Sequence, residues 1–112
     1  MMEAGRLRHR VTVQRFDGTT DAFGDPLYRE DDHWVDVCRV WADIEPLSSR
    51  EWTAMGQPQG ETTCKILLRY RSDIRSDMRI VHGARRYAIT APPIDLGGAG
   101  QWTQIYCREV EA

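Results

Sequence analysis

The chain has 112 residues, 41% of them hydrophobic and 29% charged, a length and balance suited to one compact domain around one core and not to a disordered chain. A formal net charge of −2 gives no global attraction to nucleic acid or to an anionic membrane. No stretch approaches the roughly 20 apolar residues of a membrane span, and the opening MMEAGRLRHRVTV lacks the long apolar run and cleavage site of a signal peptide, so the expected setting is the cytosol.

The first element is a strand. Leu7, His9, Val11 and Val13 alternate with Arg6, Arg8, Arg10, Thr12 and Gln14, the two-residue period of a sheet with one wet face. FDGTTDAFGDP follows and is dense in Gly, Asp, Thr and Pro, which predicts a loop. A weaker extended run, LYRE, leads into Glu30, Asp31 and Asp32. From Val35 to about Glu45 a longer β-rich stretch follows, with Cys38, Val40, Ala42 and Ile44 on its expected inner face.

Pro46 ends that stretch, and Ser48-x-x-Glu51 has the form of a capping box that would start a short helix through Trp52, Ala54 and Met55 before Gly56 and Pro58 stop it. Cys64, Ile66, Leu68 and Tyr70 then alternate with Thr63, Lys65, Arg69 and Arg71, Leu67 being one apolar residue on the polar face. This is the clearest strand pattern in the chain. Met78–Val81 and Arg86–Thr90 flank the turn-like HGAR and predict a hairpin. Ala91–Gly100, with Pro-Pro and Gly-Gly, reads as loop, and a last strand runs from Trp102 to Val110. About six short strands with turns between them, and at most one helix, lack the strand–helix alternation of a parallel sheet. The expected fold is all-β: a small antiparallel barrel or sandwich in which closure protects the sheet edges.

Catalytic and metal chemistry find little support in the residue pattern. Cys38, Cys64 and Cys107 are odd in number and far apart, which indicates neither a disulfide framework nor a zinc ribbon, and buried reduced thiols are the default. With His9, His33 and His82 they do not form the two short-spaced ligand pairs of a structural zinc site. The acids at 30–32 lack the spaced ligands of a calcium loop, and GGAG lacks the Lys-Ser/Thr and helix of a phosphate cradle. No nucleophile, base and orienting group can be assembled, so the expected chain is not an enzyme and carries no cofactor.

Two segments suggest surface recognition. Arg6, Arg8 and Arg10 share one strand face and could meet phosphates or a neighbour's acids, the plain alternative being a solvated face. The segment Ser48–Gly60 gathers Arg50, Glu51 and Trp52 with Met55, Gln57 and Gln59, and aromatic residues, Met and Arg are the types enriched at protein interfaces. Its plain alternative is a cover over one end of the barrel. A rival reading is a small OB-like nucleic-acid-binding barrel that would stack bases on Trp34, Trp41 or Tyr70.

Beyond these patterns, the sequence resembles the phage head-tail joining family, also described as head completion or stopper proteins. The likeness lies in Gly5, Leu7, Arg8, His9, Arg10, Val11, Thr12, Val13 and Gln14, then in Trp41, Ala42, Ile44, Pro46, Leu47, Arg50 and Glu51. It continues through Thr63 and the triplet Arg69, Tyr70, Arg71 to Met78, Arg79, Ile80, Gly83, Tyr87 and Ile89. The resemblance implies a small β-barrel that assembles as a ring of about twelve copies in the neck of a virion or of a phage-like gene transfer agent particle, put together in the bacterial cytoplasm. It also implies a portal or adaptor ring on the head side, a tail terminator or tail completion protein on the tail side, and double-stranded DNA passing through without sequence-specific binding. In such a ring the Ser48–Gly60 loop would face the channel or an adjoining ring. Arg6, Arg8 and Arg10 would face Glu30, Asp31 and Asp32 of a neighbouring copy.

Overall fold

The computed structural model describes residues 7–48, 50–51 and 63–110. Seven strands follow in chain order: β1 His9–Phe16, β2 Trp34–Pro46, β3 Cys64–Arg69, β4 Arg79–His82, β5 Arg85–Ile89, β6 Ile94–Asp95 and β7 Trp102–Val110. The sheet runs β3-β2-β1-β4-β5-β7-β6, and β3 also pairs with β7. That last pairing closes six strands into an antiparallel barrel and leaves the two-residue β6 as an appendage on β7. Closure pairs β2 with β1 through Trp34 to Ala42 and with β3 through Ala42 to Pro46, and it pairs β7 with both β3 and β5.

The alternation in β1 and β3 becomes the inside of this barrel. Val11, Val13, Ala42, Ile66, Leu68, Ile80, Ile105 and Cys107 are fully buried in one cluster with Cys64, Ile74, Tyr87 and Ile89. Val37, Cys38, Val40 and Ile44 pack against it while remaining partly exposed. The register between β1 and β2 slips after Val13, which pairs with Cys38, while Gln14 pairs with Asp36. The extra residue, Val37, is a β-bulge of the kind that bends a strand and lets a 13-residue element curve around a small barrel. β4 and β5 form the expected hairpin, turning at Gly83 with φ +61°, a conformation that L side chains rarely adopt.

Several boundaries differ from the sequence pattern for identifiable reasons. β1 starts two residues later than Leu7 and runs on to Phe16, since Arg15 and Phe16 pair with Val35 and Trp34. LYRE is not extended: Tyr28 and Arg29 form a turn before a short 3-10 turn at Asp31–His33. Tyr70 does not continue the inner face of β3, because the strand ends at Arg69 and the ring is 44% exposed. Leu67, on the opposite face, is nevertheless buried. Within the expected loop Ala91–Gly100, Ile94 and Asp95 pair with Gln104 and Thr103. Arg50 and Glu51 are helical, and the remainder of the expected helix lies outside the described residues.

Candidate functional site

The described surface has two chemically distinct regions, one built on the β1–β2 connection and one on the outer face of the barrel. The connection, residues 17–33, is long and largely exposed, yet its C-terminal end is anchored by charge. Asp31 accepts hydrogen bonds from Arg79 Nη2 at 2.9 Å and from Arg86 Nη2 at 3.2 Å. Arg86 first, then Arg79, holds the Asp31 carboxyl below the usual carboxylate range. Arg79 is itself buried, with its Nε donating to Gln14 Oε1 at 2.8 Å and its guanidinium 4.4 Å over the Trp34 ring. Gln14 passes the network on by donating to Asp36 at 2.8 Å. A buried guanidinium is tolerable only when its donors are satisfied, and here Gln14, Asp31 and the Trp34 face supply the partners. His33 adds a second tie through Glu30 at 3.1 Å and Asp17 at 3.6 Å.

On the outer face, register places Arg10 opposite Trp41 and Arg69 opposite Trp102, with Arg69 following the Leu68 that pairs with Ala42. Four neighbouring strands thus carry a row Arg10, Trp41, Arg69, Trp102. The Arg10 guanidinium lies 5.2 Å from the Trp41 ring and that of Arg69 lies 5.3 Å from the Trp102 ring. Trp41 is still 51% exposed. Around it lies a shallow depression of about 530 Å³ lined by Leu7, Arg10, Arg39, Val40, Trp41 and Arg69.

The residues singled out by sequence fall across both regions. Arg10 belongs to the outer row, Arg8 is exposed and has a partner of its own, and Arg6 lies outside the described residues. Of the acids, Asp31 is engaged within its own chain and Glu30 meets His33, while Asp32 is exposed. Ser48 and Glu51 form the reciprocal box, Glu51 N–H to Ser48 Oγ and Ser48 N–H to Glu51 Oε1, each at 3.3 Å. Lys65 donates to Glu51 at 2.8 Å, which lowers the carboxyl pKa and raises that of the amine. Arg50 is exposed; Trp52, Met55, Gln57 and Gln59 lie outside the described residues.

Cys64 and Cys107 face each other across β3 and β7 with sulfurs 3.2 Å apart. The bond Cys107 shares with Cys64, together with burial, pushes the Cys107 thiol far up, so it stays protonated. Cys38 is likewise raised by burial. His9 and His82 meet edge to face at 4.9 Å. Among the described residues no three His, Cys, Asp or Glu side chains gather as metal ligands would. Of the aromatics considered for base stacking, Trp34 is occupied: its ring lies under Arg79 and its Nε1 donates to the Tyr28 carbonyl at 2.7 Å. Sequence reasoning missed Arg79, Arg86 and Trp102. Only the pairing of β1 with β4, of β4 with β5 and of β3 with β7 brings them to their partners.

By class, then, this is a small closed antiparallel β-barrel whose polar and aromatic chemistry sits on the outer face and on one anchored loop. Residues 2–110 match the family described as phage head completion protein, and the chain belongs to that family. Head completion protein gp7 of Enterobacteria phage HK97 is 27% identical over 96% of both chains. Head completion protein gp16 of Bacillus phage SPP1 is 25% identical over 88% of this chain and 87% of the phage protein. Among solved structures, protein SF1141 from Shigella flexneri 2a matches with a TM-score of 0.73 at 34% identity, covering 96% of each chain. A chain in the virion of a native gene transfer agent particle shares the fold, with a TM-score of 0.64 at 21% identity over 95% of this chain and 97% of that one.

Proposed function

We propose that this chain is a subunit of the ring that closes the filled head of a tailed phage or phage-like particle, retains packaged DNA and receives the tail. The observation that carries the reading is the family match along residues 2–110, borne on a closed barrel. A closed barrel is a rigid wall element, and rigid scaffolds commonly present partner contacts on their loops. The head-side partner is the portal or its adaptor ring, and the tail-side partner is a tail terminator or tail completion protein. The start of the segment Ser48–Gly60, fixed by the Ser48–Glu51 box and by Lys65, offers Arg50 and Glu51 to the channel or to an adjoining ring. A formal net charge of −2 suits a conduit that lets DNA pass without gripping it.

Removal of the chain from particle-producing cells tests this reading. DNA-filled heads should form, lose their DNA and lack tails, and the chain supplied in trans should restore tailed, DNA-retaining particles. Tailed, DNA-filled particles made without the chain would refute it. Substitution of Arg50 and Glu51 together by alanine should reduce tail attachment or DNA retention while leaving the barrel folded. Unchanged tailed-particle yield would remove the loop from the mechanism.

A further inference from the structure

The β1–β2 connection ends in a small, well-braced tip. Asp21 N–H donates to the Asp25 carbonyl at 2.8 Å, Gly24 N–H to the Asp21 carbonyl at 3.1 Å and Leu27 N–H to the Thr19 carbonyl at 2.9 Å. Asp21 Oδ1 also accepts the Phe23 and Asp25 amides at 2.8 and 3.0 Å. Gly24, at φ +86°, supplies the left-handed residue that the turn needs. What this bracing presents is Phe23, whose side chain is 90% exposed with a carboxylate two residues away on either side. A phenylalanine held out to water on an ordered turn loses apolar burial and, unlike one on a slack chain, would lose little further entropy on docking.

The opposite chemistry lies elsewhere on the same chain. The depression around Trp41 is floored by aromatic and aliphatic surface, with Leu7 and Val40, and is bordered by the cations Arg10, Arg39 and Arg69. It sits where Arg10 pairs with Trp41, whereas the loop leaves and re-enters at the Phe16–Trp34 pair. Six residues of strand separate the two, about 20 Å, and Phe23 is 90% exposed and absent from the lining, so it does not fill its own chain's depression. We infer that the Phe23 tip of one copy seats in the depression around Trp41 of the next copy, with Asp21 and Asp25 facing the arginine border. Such a contact joins two different surfaces of one chain, and repeating it generates a closed ring or an open filament, according to the rotation it imposes. It rests on the ring reading above and names the residues that join its subunits. It also shifts the acidic partner of the basic face from Asp31, which Arg79 and Arg86 already hold, to the tip.

Photo-cross-linking in assembled particles tests the contact. Benzoylphenylalanine replacing Phe23 in the full chain should give self-adducts that map to residues 7–10 or 39–41 of a second copy. Phe23→Ala and Trp41→Ala should each cut incorporation into particles about tenfold or more, as loss of a central aromatic anchor does, with unchanged circular dichroism and thermal unfolding for Phe23→Ala. Self-adducts at any other surface, adducts only to a portal or tail protein, or adducts only to DNA would overturn the contact. Imaging the same particles separates the two levels. A ring of this chain whose position-23 adducts map elsewhere refutes the tip-in-depression contact alone, and a neck without a ring of this chain refutes the ring reading as well.

Discussion

The wall of the barrel and the β1–β2 connection are stabilised by different physics. The wall is apolar and long-range: Ile66 and Ile105 lie opposite each other on β3 and β7, both fully buried, and pack with residues from most strands of the sheet. The connection contributes no member of the core cluster and is held by a few polar ties, chiefly Asp31 to Arg79 and Arg86. The contrast teaches that the wall should fail as a unit, whereas the connection can be released while the barrel stands.

Three changes sharpen or break that contrast. Ile66→Ala empties a fully buried site at the closing pair of strands and should cost about 2–5 kcal/mol in chemical denaturation, with one cooperative transition. A loss below about 1 kcal/mol would mean that the β3–β7 seam is not what holds the barrel together. Arg79→Met removes the link shared by Gln14, Asp31 and Trp34. It should cost about 1–3 kcal/mol and make residues 17–33 markedly more susceptible to limited proteolysis. Protease resistance equal to the parent would show that the connection is held by something else.

Asp31→Asn should have the smallest effect on global stability, under about 1 kcal/mol near neutral pH, because the Asp31 side chain is 59% exposed and its ion pairs are screened by solvent. Its sign with pH is definite. The folded carboxyl lies below its ordinary value of 3.8, so its contribution is fully present above that value and is lost as pH falls through the lower, folded one. The parent and Asp31→Asn curves of stability against pH should therefore converge below about pH 4. Parallel curves down to pH 2 would contradict the ion-pair anchor.

Much of the wall was legible in the sequence because alternation is a local signal. Val11 and Val13, then Cys64, Ile66 and Leu68, alternate in sequence and point into one core in the fold. The hairpin around Gly83 was legible for a similar reason, since its turn needs only its own residues. Properties that depend on register were not. That Arg79 is buried follows from its pairing beside Gln14 and from Asp31 reaching across, and nothing near Arg79 in the chain announces either. β6 was hidden in a segment rich in Pro and Gly because two residues are too few to show a period. The acidic run at 30–32 looked like a uniform solvated patch, yet it divides by geometry: Asp31 is committed to two arginines, Glu30 to His33, and Asp32 points outward. Phe23 has no signature in the sequence, because a single aromatic in a Gly-Asp-rich loop makes no pattern; its exposure follows from the turn that Asp21 braces around it.

The most direct test of the ring assignment is a cryo-EM reconstruction of the particle neck at a resolution that traces β-strands. The assignment predicts a ring of closed six-stranded barrels between the portal assembly and the tail, each accommodating β1 to β7 of this chain. A neck whose ring density cannot accommodate this barrel, or particles in which the chain is found only at another site, would contradict it.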